Sequence, residues 1–105
     1  MLEYKVEWSR DALDDMDYYW EMMLEESRDI DTADVFVNRI IDYAEENCKT
    51  PYNGFVVEIL KNENIREFYY HGYTILYEIF PESSSVIIHE VYSQKQIHIR
   101  TYKRD

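Results

Sequence analysis

Apolar residues recur at helical spacing along two stretches of the chain and crowd into shorter strand-like runs elsewhere. Tyr4-Lys5-Val6-Glu7-Trp8 alternates apolar and charged positions, the pattern of a short strand. Ser9 follows as a helix cap, with Asp11 in the first turn, where a carboxylate meets the positive end of the helix dipole. Ala12, Leu13, Met16, Trp20, Met23 and Leu24 then return every three or four residues, while Asp14, Asp15, Asp17, Glu21 and Glu25 mostly take the other faces. This spacing predicts an amphipathic helix over about residues 10–27 with a solvated acidic face.

A second helix opens at Asp31 or Thr32, where Asp31 and Asp34 have the spacing of a capping box. Its apolar stripe is Ala33, Phe36, Val37, Ile40, Ile41, Ala44 and Cys48. Only Arg28-Asp29-Ile30 separates the two helices, so they pair as an antiparallel hairpin. Pro51 and Gly54 end the helical region. Beyond them, Phe55–Leu60 is a short apolar run, and Ile65–Tyr70, Tyr73–Phe80 and Val86–Tyr92 are rich in β-branched and aromatic residues. His71-Gly72 and Pro81-Glu82-Ser83-Ser84-Ser85 are the turns of an antiparallel meander. The order predicts an α+β fold: an N-terminal strand, then a helical hairpin packed on one face of an antiparallel three- to four-stranded sheet.

Composition agrees with one folded domain over residues 1–105. Of 105 residues, 46% are hydrophobic and 16% aromatic, which argues against disorder despite a net charge of −11. The charge is unevenly spread. Residues 1–50 hold 15 acids and 5 bases, residues 51–105 hold 7 acids and 6 bases, and the end of the chain is basic. An acidic chain disfavours nonspecific nucleic-acid binding, because each phosphate contact needs a cation. Cys48 is the lone cysteine, so no internal disulfide and no CxxC site can form. Neither a signal-peptide pattern nor an apolar run long enough for a membrane span is visible, and the expected location is the cytoplasm, with no membrane partner.

The element order, with certain residues in place, resembles the RelE/ParE toxin superfamily of bacterial type II toxin–antitoxin systems, the plasmid stabilisation proteins. Val6-Glu7-Trp8-Ser9-Arg10-Asp11-Ala12-Leu13-Asp14-Asp15-Met16 looks like the family's opening strand and helix. Phe36-Val37-Asn38-Arg39-Ile40-Ile41 looks like its second helix, followed by the Pro51 and Gly54 stretch. Ile65-Arg66-Glu67-Phe68 and Gly72-Tyr73-Thr74-Ile75-Leu76-Tyr77-Glu78-Ile79 look like its central strands, and Val86-Ile87-Ile88-His89-Glu90-Val91-Tyr92 like its closing strand. The resemblance covers nearly the whole chain and implies a toxin neutralised by a cognate antitoxin, whose extended segment wraps the helices and sheet. It also implies one of two activities: cleavage of messenger RNA on the ribosome, as in RelE-like members, or poisoning of DNA gyrase without nuclease chemistry, as in ParE-like members.

RNA cleavage needs a base for the 2′-hydroxyl, cations for the phosphorane charge and an acid for the leaving oxygen. The resemblance offers Arg66, Tyr92 and Lys95 for these roles. Two cations usual in the nuclease branch are replaced: Thr74 stands in the Gly-Tyr-Arg-Ile-like stretch, and Gln94 in the closing segment. The expectation is therefore a ParE-like toxin directed at a target such as gyrase, with a ribosome-dependent endoribonuclease and an inactive binding protein as the rivals. For Arg66 the plainer reading is an ion pair with Glu58, Glu67 or Glu78; for Tyr73 and Tyr77 it is core packing.

His71, His89 and His98 lack metal-ligand spacing, so neither metal nor cofactor is expected. Cys48 lies on an apolar stripe without a nearby histidine and reads as a core residue. Lys95, Arg100, Lys103 and Arg104 form a basic tail suited to an acidic antitoxin segment or a phosphate-bearing target. An unpaired strand edge would leave room for a homodimer.

Overall fold

The computed structural model describes residues 3–93. Strand β1 (Lys5–Trp8) leads into helices α1 (Arg10–Ser27) and α2 (Ile30–Cys48), followed by strands β2 (Phe55–Val56), β3 (Ile65–Tyr70), β4 (Tyr73–Phe80) and β5 (Ser85–Ser93). Single 3-10 turns occupy Pro51–Asn53, Glu58–Leu60 and Pro81–Ser83. The predicted layers hold, with the helical hairpin on one face of one sheet. The sheet is wider than expected: five strands in the order β1-β5-β4-β3-β2. All its pairs are antiparallel except β1 with β5, which run parallel because the hairpin carries the chain across the sheet before the meander returns beside its start.

Short-range chemistry sets the junctions. The Ser9 hydroxyl accepts from the Ala12 amide at 3.1 Å and donates to the His89 carbonyl at 2.9 Å, capping α1 and fastening it to β5. The turn joining β3 to β4 takes positive φ at both His71 (45°) and Gly72 (85°), as a two-residue hairpin loop requires. Residue Arg28, at φ 58°, closes α1, and α2 begins at Ile30, ahead of the predicted opening at Asp31 or Thr32. Its cap is Asp29, not Asp31 or Thr32; the Asp29 side chain accepts from the Thr32 hydroxyl at 2.6 Å and makes no bond to the backbone. The run Phe55–Leu60 yields only two strand residues before turning, so its apolar side chains stay outside the core.

The core joins Ala12, Met16 and Tyr19 of α1 and Val37, Ile40, Ala44 and Cys48 of α2 to the inner sheet face, including Phe68, Ile75, Tyr77, Ile79, Val86, Ile88 and Val91. Three positions on α1 depart from the expected stripe. Leu13 is half exposed, whereas Asp15 and Tyr19 are buried. Their burial has a specific cause. Beyond the reach of β1, the outer edge of β5 has amides with no neighbouring strand, and α1 supplies the acceptors: Asp15 Oδ2 takes the Val91 amide at 2.8 Å and Tyr19 Oη the Ser93 amide at 3.0 Å. One helical turn of four residues rises about 6 Å, close to the span of two strand residues, so an i, i+4 pair on the helix matches an i, i+2 pair on the strand.

Two indoles tie neighbouring elements to α2. Trp8 Nε1 donates to Glu45 at 2.9 Å, and Trp20 Nε1 to Asp34 at 2.7 Å, joining β1 and α1 respectively to α2.

Candidate functional site

The sheet turns two unlike faces to its surroundings. Register sorts the side chains: Arg66, Phe68 and Tyr70 share the helix-facing side with Tyr77, Ile75 and Tyr73, while Glu67 and Tyr69 share the opposite side with Leu76, Thr74, Glu90 and Tyr92. A β-bulge in β5 opposite Leu76 and Tyr77 leaves His89 outside the ladder. Its ring reaches Glu78 Oε1 at 2.9 Å on the outer face. The bulge thus serves two contacts, since the His89 carbonyl holds Ser9.

Tyr92 stands among Thr74, Glu67, Glu90 and Tyr69 on this outer face. Burial raises its phenol pKa, the carboxylates of Glu67 and Glu90 raise it further, and the Thr74 hydroxyl opposes them. Such a phenol holds its proton and is unsuited to act as a base. Tyr69 donates a short hydrogen bond to Glu67, which, more than its slight burial, pushes its pKa up to about 12. The outer face of the central strands therefore carries Glu67, Glu78 and Glu90 among aromatic and aliphatic side chains.

Arg66 lies elsewhere and is occupied. Its Nε donates to the Glu63 carbonyl at 2.9 Å, and Nη1 donates to the carbonyls of Tyr52 at 2.9 Å and Gly54 at 3.3 Å. The guanidinium also lies 5.2 Å from the Tyr52 ring centre. The expected ion pair with Glu58, Glu67 or Glu78 is replaced by backbone carbonyls, because the loop after α2 folds over the end of β3 and presents them. The nearby Tyr77 hydroxyl donates to the Pro51 carbonyl at 2.5 Å. Gly54 permits this approach, as a Cβ there would meet Tyr77 Oη at 1.9 Å.

Arg66 and Tyr92, grouped by the nuclease reading, thus project from opposite faces of the sheet. Lys95, Arg100, Lys103 and Arg104, together with His98 and Gln94, lie outside the described residues. His71 occupies the hairpin turn, and Cys48 is fully buried, with its thiol raised to about 12 by burial, as befits an unreactive core residue. Tyr77 is fully buried in the core, whereas Tyr73 is partly buried at its margin.

A second feature was not singled out from the sequence. Where the tips of α1 and α2 meet the β3–β4 turn, an open pocket of about 570 Å³ is lined by Met23, Asp31, Thr32, Val35, Phe36, Arg39, Tyr70, His71 and Tyr73. The signal was the alignment of Asp31, Val35 and Arg39 at four-residue spacing along α2, but what faces them comes from Tyr70, His71 and Tyr73, 31 to 42 positions later.

A five-stranded sheet covered on one face by a helical hairpin, with the opening strand parallel to the last, defines an α+β fold shared with toxins of toxin–antitoxin systems. Residues 6–98 match the family model described as the ParE toxin of the type II toxin–antitoxin system parDE, and the chain belongs to that family. Among solved structures, a chain of the chromosomal ParDE system from P. aeruginosa aligns at 12% identity and TM-score 0.71, over 87% of this chain and 96% of that one. A chain of the toxin–antitoxin complex RelBE2 from Mycobacterium tuberculosis aligns at 17% identity and TM-score 0.66, over 90% and 94% respectively. At these identities the likeness is one of fold. Comparison with curated protein sequences returned no match. Among the described residues, no helix is long and apolar enough to cross a membrane.

Proposed function

We propose that this chain is the toxin of a type II toxin–antitoxin pair, held inactive by a cognate antitoxin in the cytoplasm, and that it arrests growth by binding an essential target such as DNA gyrase rather than by cutting RNA. Membership of the ParE family supports the first part. The observation that carries the second is the outer sheet face, where Glu67 and Glu90 lie beside Tyr92 while Arg66 is spent on the carbonyls of Tyr52, Gly54 and Glu63. A phosphorane dianion beside these two carboxylates would be repelled, and a proton-retaining phenol supplies no base.

The test is induction of the full-length protein alone in a bacterial host, with growth followed alongside mapped messenger-RNA 5′ ends. Arrest without new ends, accompanied by filamentation and DNA-damage signalling, is the expected result. New ends inside coding regions would replace this reading with a ribosome-dependent nuclease. Normal growth of cells making soluble protein would leave only a binding protein.

A further inference from the structure

The pocket at the tip of the helical hairpin combines three properties. Its walls are apolar and aromatic, with Met23 from α1, Val35 and Phe36 from α2, and Tyr70 and Tyr73 from the β-hairpin. Phe36 and Tyr73 meet edge to face at 5.8 Å, which makes that wall rigid. The apolar surface continues onto the rim, where Val35 is 49% and Ile30 59% exposed.

The rim is also polarised. Arg39 is exposed and makes no hydrogen bond or ion pair with another described residue. The other end of the same stripe carries Asp31, in the first turn of α2. The two charges are eight residues apart, about 12 Å along the helix axis. In a chain of net charge −11, a free guanidinium beside an apolar hollow is locally complementary to a carboxylate.

We propose that this pocket receives an apolar anchor side chain from a partner protein's segment, with a carboxylate of that segment, within four residues of the anchor, paired to Arg39. Asp31 sets the direction, since it repels an acid at the other end of the pocket and so orients the segment. The open hollow of about 570 Å³ has room for a large side chain, Leu, Met or Phe, together with part of the segment that carries it, and Arg39 is exposed at its edge, within reach of a carboxylate. On the reading above, the partner is the antitoxin, and this assignment rests on that reading.

Peptides from a phage-displayed library of random 16-residue sequences, selected on the full-length protein, provide the probe. Selected peptides are expected to carry Leu, Ile, Met or Phe with Asp or Glu within four residues. Their affinity should fall at least tenfold on Arg39→Glu and on Val35→Glu, and stay unchanged on Ile59→Glu, an 87% exposed position beyond β2. All three sites are on the surface, and circular dichroism establishes that each variant is folded.

Peptides rich in Lys or Arg, binding indifferent to Arg39→Glu, sensitivity to Ile59→Glu instead, or no enrichment at all would each overturn the proposal. Co-expression with the product of the adjacent gene separates the two readings. Rescue of growth that fails with the Arg39→Glu toxin supports the antitoxin as occupant. Equal rescue of both toxins, with the peptide results as stated, removes the antitoxin from the pocket and leaves the docking chemistry standing.

Discussion

The buried carboxylate of Asp15 accepts the backbone amide of Val91 at 2.8 Å, so a helix side chain completes the sheet where no strand continues it. Beside it, Tyr19 does the same for Ser93. This edge would otherwise present unpaired amides to the core side of α1, and a buried unpaired donor costs about 1–3 kcal/mol.

Asp15→Ala is therefore expected to lower unfolding stability by about 2–3 kcal/mol, since it removes a bond to a charged acceptor and strands the Val91 amide. Asp15→Asn, which keeps an oxygen in place, should cost markedly less. Urea unfolding of both variants measures the difference, and equal losses would mean that the charge and not the acceptor matters.

Gly54 and Tyr77 are sterically coupled, because a Cβ at residue 54 would overlap Tyr77 Oη. Gly54→Ala should be strongly destabilising in the wild-type background, by about 2 kcal/mol or more. In a Tyr77→Phe background the same change should cost at least about 1 kcal/mol less, and a double-mutant cycle reads this coupling. Additive effects would show that the loop moves aside without resistance.

Arg66 discriminates between a structural and a catalytic role. Arg66→Gln cuts the guanidinium bonds to the loop carbonyls and is expected to lower stability by about 1–2 kcal/mol. Growth arrest should fall only in proportion to the folded protein remaining. Complete loss of arrest by a variant that is still fully folded would return Arg66 to the active machinery.

Stability should decline at alkaline pH in two stages. Burial raises Cys48 from 9.0 to about 12 and Tyr19 from 10.0 to about 12 in the folded protein. Each group gives full stability below its unfolded pKa, and that contribution disappears as pH climbs toward the folded value. The decline thus begins near pH 9 through Cys48, and Tyr19 adds to it from pH 10. Urea midpoints between pH 8 and 12 should show it, and in Cys48→Ala the onset should move up toward pH 10.

Ser9 joins two elements through one hydroxyl. Ser9→Ala removes the cap of α1 and the bond to the His89 carbonyl, and about 1–2 kcal/mol should be lost. Ser9→Asp keeps the capping acceptor but cannot donate to His89, so an intermediate loss is expected in the same unfolding assay.

Much of the architecture was legible in the order of residues. The bounds of β3 and β4 fall where β-branched and aromatic residues begin and end, and α1 runs over the residues that Ser9 and its apolar spacing imply. These features depend on neighbours within a few positions, which is what periodicity records. Phe55–Leu60 reads only as a short apolar run because apolar content alone does not distinguish a strand from an exposed turn, and the chain bends at Val57 after two paired residues.

The sequence by itself determined the α+β class, the helical hairpin and the meander, because helix and strand periods and turn chemistry are local, and its resemblance to a known family pointed to the toxin superfamily. Only tertiary structure decided what Asp15, Arg66 and Arg39 do. Asp15 reads as one more acid on a solvated face until β5 brings an unpaired amide beside it. Arg66 reads as a site cation until the loop at residues 52–54 supplies carbonyls. Arg39 reads as ordinary helix surface until the β3–β4 turn builds the far wall of its pocket. Each role depends on a partner 12 to 76 residues away in sequence, and such distant pairings leave no periodic trace in the chain.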